Sequence, residues 1–144
     1  MKKRRLSILI FGVVLSCAAV QTQSHAQNVV VIVNSGVRAT AASSDDIRGI
    51  FTGDKSSLGD GSRVTPVTLK GGPTHEAFLK TYVGKGDAAF RTGWRNLVFT
   101  GQGSMPKTFD SEAALVDYVA ATPGAIGYVS KGTDVGRAKT LAVR

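Results

Sequence analysis

The stretch Thr122-Pro123-Gly124-Ala125-Ile126-Gly127-Tyr128-Val129 constrains this chain more than any other, because within it a helix has to stop and a buried strand has to begin. Pro123 ends the helix and Gly124 turns the chain. The five residues that follow are apolar or glycine apart from the Tyr128 hydroxyl, a length that suits a core strand. Gly127 leaves room for another backbone or a ligand to come close. A second run, β-branched from Val29 to Val33 between Asn28 and Asn34, has the pattern of a central strand covered on both faces, as in a parallel sheet flanked by helices.

The first 26 residues stand apart from this pattern. Lys2, Lys3, Arg4 and Arg5 precede an apolar run from Leu6 to Val20, and Ser24-His25-Ala26 reads as a small-x-small cleavage site before Gln27. Residues 1–26 are therefore expected to be a secretory signal peptide, with an apolar run too short to span a membrane. Residues 27–144 are expected to be the exported periplasmic domain, with no transmembrane segment. Cys17 after Val14-Leu15-Ser16 leaves lipid anchoring as the alternative, but Leu15 stands where bacterial lipoproteins usually carry a small or β-branched residue.

Setting those residues aside leaves 118 of 144 and removes four of the 18 basic side chains, so the formal net charge falls from +8 to +4. Such a balance gives no reason to expect nucleic acid as a partner, and it suits an anionic ligand. A chain of this size makes one domain and buries about two thirds of its unfolded surface. The one cysteine belongs to the leader, so the remainder offers no disulfide, thiol nucleophile or thiolate metal site.

In chain order, Ser35-Gly36 closes the first strand and a polar link over residues 37–42 leads to Ser43-Ser44-Asp45-Asp46. These residues form an N-cap and acidic first turn for a short helix through Ile47, Ile50 and Phe51, stopped by Thr52-Gly53. Residues 54–63 read as an exposed loop, and residues 64–69 as a short strand whose Pro66 favours an edge or a strand end. After Lys70-Gly71-Gly72, Pro73 opens a helix with Phe78, Leu79, Tyr82 and Val83 at helical spacing. Residues 87–99 form another helix, with Phe90, Trp94, Leu97 and Val98 on one side and Arg91 and Arg95 on another. Ser111 caps a fourth helical segment, with Ala114, Leu115, Tyr118 and Val119 on one face, and residues 140–143 suggest a last strand. No repeat or linker interrupts the pattern, so one α/β domain is the economical reading.

The best candidate ligand site in this pattern is Lys70-Gly71-Gly72-Pro73-Thr74-His75. A glycine turn aims backbone N–H groups at an anion, the helix dipole adds positive charge, and Lys70, Thr74 and His75 can complete the shell. Against it, any strand-to-helix turn looks like this, and Pro73 removes one donor. The turn Asn34-Ser35-Gly36 follows the central strand, where open α/β sheets place ligands, and is a second candidate for the same crevice. Asp45, Asp46 and His75-Glu76 invite an acid-base or metal role, but helix capping accounts for the acids and His75 is expected as an exposed first-turn residue. No nucleophile elbow, P-loop or zinc signature is present, so neither enzyme activity nor a cofactor is expected. Trp94, with Phe90 and Phe99, is expected in the core, or alternatively on a hydrophobic binding surface.

Three blocks carry a resemblance. Asp46-Ile47-Arg48-Gly49-Ile50-Phe51-Thr52-Gly53, then Trp94-Arg95-Asn96-Leu97-Val98-Phe99-Thr100-Gly101-Gln102-Gly103 with Pro106, and finally residues 122–129, resemble the small single-lobe relatives of phosphate-binding proteins that serve ABC transporters. The resemblance implies one lobe of a type II periplasmic binding protein, with a mixed or mainly parallel sheet flanked by helices. It also implies phosphate or a similar oxyanion as ligand and an ABC transporter or other envelope protein as partner. In the two-lobed receptors an Arg and an Asp lead into Ser-Gly-Thr at a helix start. Counting back from Phe78, Thr74 stands at that Thr, while Gly72 replaces the Ser, Pro73 the Gly, Lys70 the Asp and Thr68 the Arg. The expected function is thus oxyanion binding connected with uptake. The alternative is a ligand-free lobe that docks onto another envelope protein or onto itself.

Overall fold

A computed structural model describes residues 28–144, so the expected leader with its cleavage site, and Cys17, fall outside the described residues. In chain order the elements are β1 (Val29–Val33), β2 (Ala41–Ala42), α1 (Ser44–Thr52), β3 (Thr65–Leu69), α2 (Pro73–Phe78) continued by a π-helical turn (Leu79–Val83), α3 (Asp87–Phe99), β4 (Lys107–Phe109), α4 (Glu112–Ala121), β5 (Ala125–Ser130) and β6 (Lys139–Val143). The strands form one sheet in the order β2-β6-β1-β5-β3-β4. β1 is central and well buried, as its β-branched run requires. Its direction differs from the parallel expectation: both neighbours, β5 and β6, run antiparallel to it, whereas β3 is parallel to β5 and to β4. Helices on both faces bury β1, and that coverage does not depend on strand direction.

Alternation along β5 sorts the two faces. Tyr128 points to the side of α1 and α2, where its ring stacks on Phe78 at 3.9 Å and meets the edge of Phe51 at 5.8 Å. Gly127 points to α4, and a Cβ there would stand 2.7 Å from Leu115 and 3.2 Å from Val67. The room at Gly127 is therefore taken by packed side chains. α3 lies behind α1, and the Trp94 indole N–H donates to the Phe51 carbonyl at 2.8 Å. Trp94 and Phe90 are buried, while Phe99 is 93% exposed beyond them.

Local signals set the helix ends. Ser43 Oγ accepts from Asp46 N–H at 3.0 Å and Ser111 Oγ from Ala114 N–H at 3.1 Å, each satisfying a donor that the first turn leaves unpaired. Asp45 and Asp46 are paired with Arg48 and Lys55 beside α1. Pro66 sits near the start of β3 and is not on an edge strand. β4 pairs only with residues 67–69, so the flank that lacks an N–H is never asked to donate to it.

Candidate functional site

Lys70 N–H donates to Phe109 carbonyl at 2.9 Å and closes the β3–β4 ladder. The chain then turns through Gly71 and Gly72 into α2. Gly72 has φ 96°, a region that side chains with a Cβ rarely adopt, and Pro73 occupies the first helical position. Above both glycines the space is open, since a Cβ at either would meet nothing within 4 Å. Among the described residues, the N–H groups of Gly71, Gly72 and Thr74 have no backbone hydrogen-bond partner. Thr74 is half-buried and opens onto a surface cavity of about 390 Å³ that Asn28, Val29, Lys80 and Ser130 also line. Lys70 Nζ lies 3.0 Å from Asp110, and both side chains are largely exposed.

His75 departs from the expectation of an exposed shell residue: it is 1% exposed. Its Nε2 lies 2.7 Å from Asp87 Oδ1, and its Nδ1 is hydrogen-bonded to the Tyr128 hydroxyl. That hydroxyl accepts from Leu69 N–H at 3.1 Å, so its own O–H is left to donate to Nδ1, and the ring proton is assigned to Nε2, facing the carboxylate. Asp87 Oδ2 in turn accepts from Arg91 Nε at 2.8 Å, and Arg91 Nη2 donates to the Lys70 carbonyl at 2.6 Å. The hydrogen-bonded chain thus returns to the turn from which it started. Burial pulls the Asp87 carboxyl up, but hydrogen bonds from Arg91 and His75, together with the Arg91 charge, outweigh it and hold the group below the usual carboxylate range. Burial pushes the Tyr128 hydroxyl well above its ordinary value, with the Leu69 N–H bond opposing. Hydroxyl, imidazole and carboxylate stand in the order of a nucleophile triad, yet Tyr128 is fully buried and no substrate can reach its oxygen.

Asn34 and Ser35 do not join this turn. Val33 pairs with Ile126, and Ile126 with Pro66, so the end of β1 lies where β3 begins. The four residue steps from Pro66 to Lys70 put the two turns roughly 13 Å apart along the strand. Asn34 Nδ2 donates to the carbonyls of Val119 at 2.9 Å and Ala120 at 3.1 Å, and its Oδ1 accepts from Gly36 N–H. Its side chain caps the C-terminus of α4, which commits both its amide N–H groups to the protein. Ser35 is exposed at that end, where Arg38, Asp60 and Arg63 line a separate cavity of about 370 Å³.

Asp87, Arg91 and Tyr128 were absent from the candidate ligand-site residues, although the sequence marked the Tyr128 hydroxyl as the polar exception in a core strand and put Arg91 on a polar side of its helix. Two signals pointed to them: the i,i+4 spacing of Asp87 and Arg91, and a lone hydroxyl in an otherwise apolar core strand, which needs a partner. Among the described residues no group of three or more His, Cys, Asp or Glu could hold a metal ion, and no helix is long and apolar enough to cross a membrane.

No family model matches the sequence, and the search of curated proteins finds no match. Solved structures do match. An ABC-type phosphate transport receptor from Vibrio cholerae superposes with TM-score 0.60 at 14% identity, covering 81% of this chain and 46% of the receptor. A protein from Clostridium perfringens, described as a phosphate ABC transporter substrate-binding protein with bound phosphate, superposes with TM-score 0.60 at 16% identity, covering 81% and 44%. PstS from Borrelia burgdorferi gives 0.56 at 11% identity, covering 81% and 47%. The chain spans less than half the length of each of these proteins. It shares an α/β fold with that part of them, which in the described residues of this chain is a mixed six-stranded sheet with four α-helices.

Proposed function

We propose that this chain is an exported, non-enzymatic solute-binding protein that takes phosphate or a similar oxyanion at the Lys70–Thr74 turn, in connection with ABC-type uptake. The carrying observation is the turn itself. It presents open glycines, backbone donors without a backbone partner and the Thr74 hydroxyl at the end of β3, with Lys70 and the Arg91 guanidinium beside it. The fold likeness supports the ligand class, because one of the superposed proteins holds phosphate. His75 and Asn34 play no part in the ligand shell in this reading, since protein groups occupy their polar atoms.

A second reading draws on a different observation. Phe99 is 93% exposed, with Val98 and Met105 exposed to a lesser degree, which fits a module that docks onto another envelope protein or onto itself. Calorimetric titration of the purified protein with phosphate and sulfate separates the two. The binding reading expects saturable heat, and Thr74→Val should weaken it by about 1.5–3 kcal/mol, the worth of a hydroxyl donor to a charged group. Unchanged affinity in that variant would falsify the site, and no heat at millimolar phosphate moves the assignment to the docking module.

A further inference from the structure

We infer that Arg91 is the cation a bound oxyanion meets at the Lys70–Thr74 turn, and that Tyr128, His75 and Asp87 are positioning residues that hold its guanidinium there; the inference rests on the anion-binding reading above. Three observations place the role on Arg91. Its Nη2 donates to the Lys70 carbonyl at 2.6 Å, so the guanidinium stands one hydrogen bond from the backbone of the turn. Only that bond and the one from Nε to Asp87 engage it among the described residues, so three of the five N–H donors of the fork remain for a ligand, and the side chain is 33% exposed. It is also anchored from behind. Asp87 is clamped by His75, His75 by Tyr128, and Tyr128 lies in the core strand β5, so the position of the guanidinium is referred to the rigid centre of the sheet.

Lys70 offers charge without geometry. Its flexible ammonium pairs with Asp110 in an exposed contact of little energetic weight, which an arriving anion can displace. Arg95, one turn beyond Arg91 on α3, is exposed and has no carboxylate within ion-pair distance among the described residues. A fixed planar fork favours ligands with two coplanar acceptor oxygens, such as phosphate, sulfate or a carboxylate, over a monatomic anion. The Asp87 charge opposes an anion, and the Arg91 guanidinium paired with it at 2.8 Å offsets that charge, while His75 and Arg91 between them engage both carboxylate oxygens.

The test is calorimetric phosphate titration of the purified wild-type protein and of Arg91→Gln, Arg91→Lys, Arg95→Gln and Asp87→Asn, with Tm measured for each. Arg91→Gln should weaken binding by about 10- to 100-fold, the loss of one charge-assisted contact. Arg91→Lys keeps the charge without the fork and should fall between, which covers the case in which the Gln variant folds poorly. Arg95→Gln should stay within about twofold at physiological salt. Asp87→Asn separates positioning from field by its sign. Removing a negative charge beside the site tightens anion binding by Coulomb's law alone, whereas release of the guanidinium weakens it. Wild-type affinity in Arg91→Gln, with Thr74→Val still impaired, overturns the role of Arg91 and leaves the binding site standing. Tighter binding in Asp87→Asn overturns the positioning role, and no heat from the wild type removes both the site and this inference.

Discussion

Tyr128 shows how one atom can carry several obligations. Its ring fills the aromatic cluster with Phe51 and Phe78, and its hydroxyl satisfies Leu69 N–H and His75 Nδ1 together. Tyr128→Phe keeps the ring and leaves both groups unpaired in the core, which costs about 1–3 kcal/mol for each group left unsatisfied. Urea unfolding at neutral pH should read that loss. The variant should also change the alkaline limb. In the folded protein the hydroxyl stays protonated above its ordinary value of 10.0. The stability linked to it is therefore fully present below pH 10 and is lost as pH rises from there toward the raised value. Wild type should lose stability over that range more steeply than Tyr128→Phe, and equal slopes would count against the buried hydroxyl. In the sequence the hydroxyl was visible as the one polar exception in a core strand. Its partners were not, because Leu69 and His75 lie 59 and 53 residues away and only the fold brings them together.

Elements whose signals are local were legible. Ser43 and Ser111 cap α1 and α4 as their sequences require, and α3 begins at Asp87 and ends at Phe99 as its periodicity indicates. β2 and β4 were not legible, since strands of two and three residues carry no period to detect. The π-helical turn after Phe78 also left no sequence mark. Gly127 was read as space for a backbone or a ligand, and the space belongs to α4 and β3. Gly127→Ala should press on Leu115 and Val67, both buried, and cost about 1–3 kcal/mol by overpacking. Leu115→Val in the same chain should recover part of that loss. A chemical-denaturation midpoint unchanged by Gly127→Ala would show that α4 can move away from the sheet without penalty.

On the scale of the molecule, an α/β fold with a central β1 followed from two apolar runs, but strand direction did not. Antiparallel pairing of β1 with β5 depends on where the intervening helices return the chain, and it separates the two candidate turns. Asn34 and Ser35 lie at one end of the sheet, with Arg38 and Arg63 nearby, while Gly71, Gly72, Thr74 and Arg91 lie at the other. The proposed oxyanion site lies at the second of these ends. Amide shifts in ¹H–¹⁵N correlation spectra of the protein, followed as phosphate is added, test it most directly. Saturating shifts are expected, largest at Gly71, Gly72 and Thr74, with the amides of Gly36, Gly61 and Gly124 still. Shifts centred on those three glycines, or none at millimolar phosphate, would contradict it.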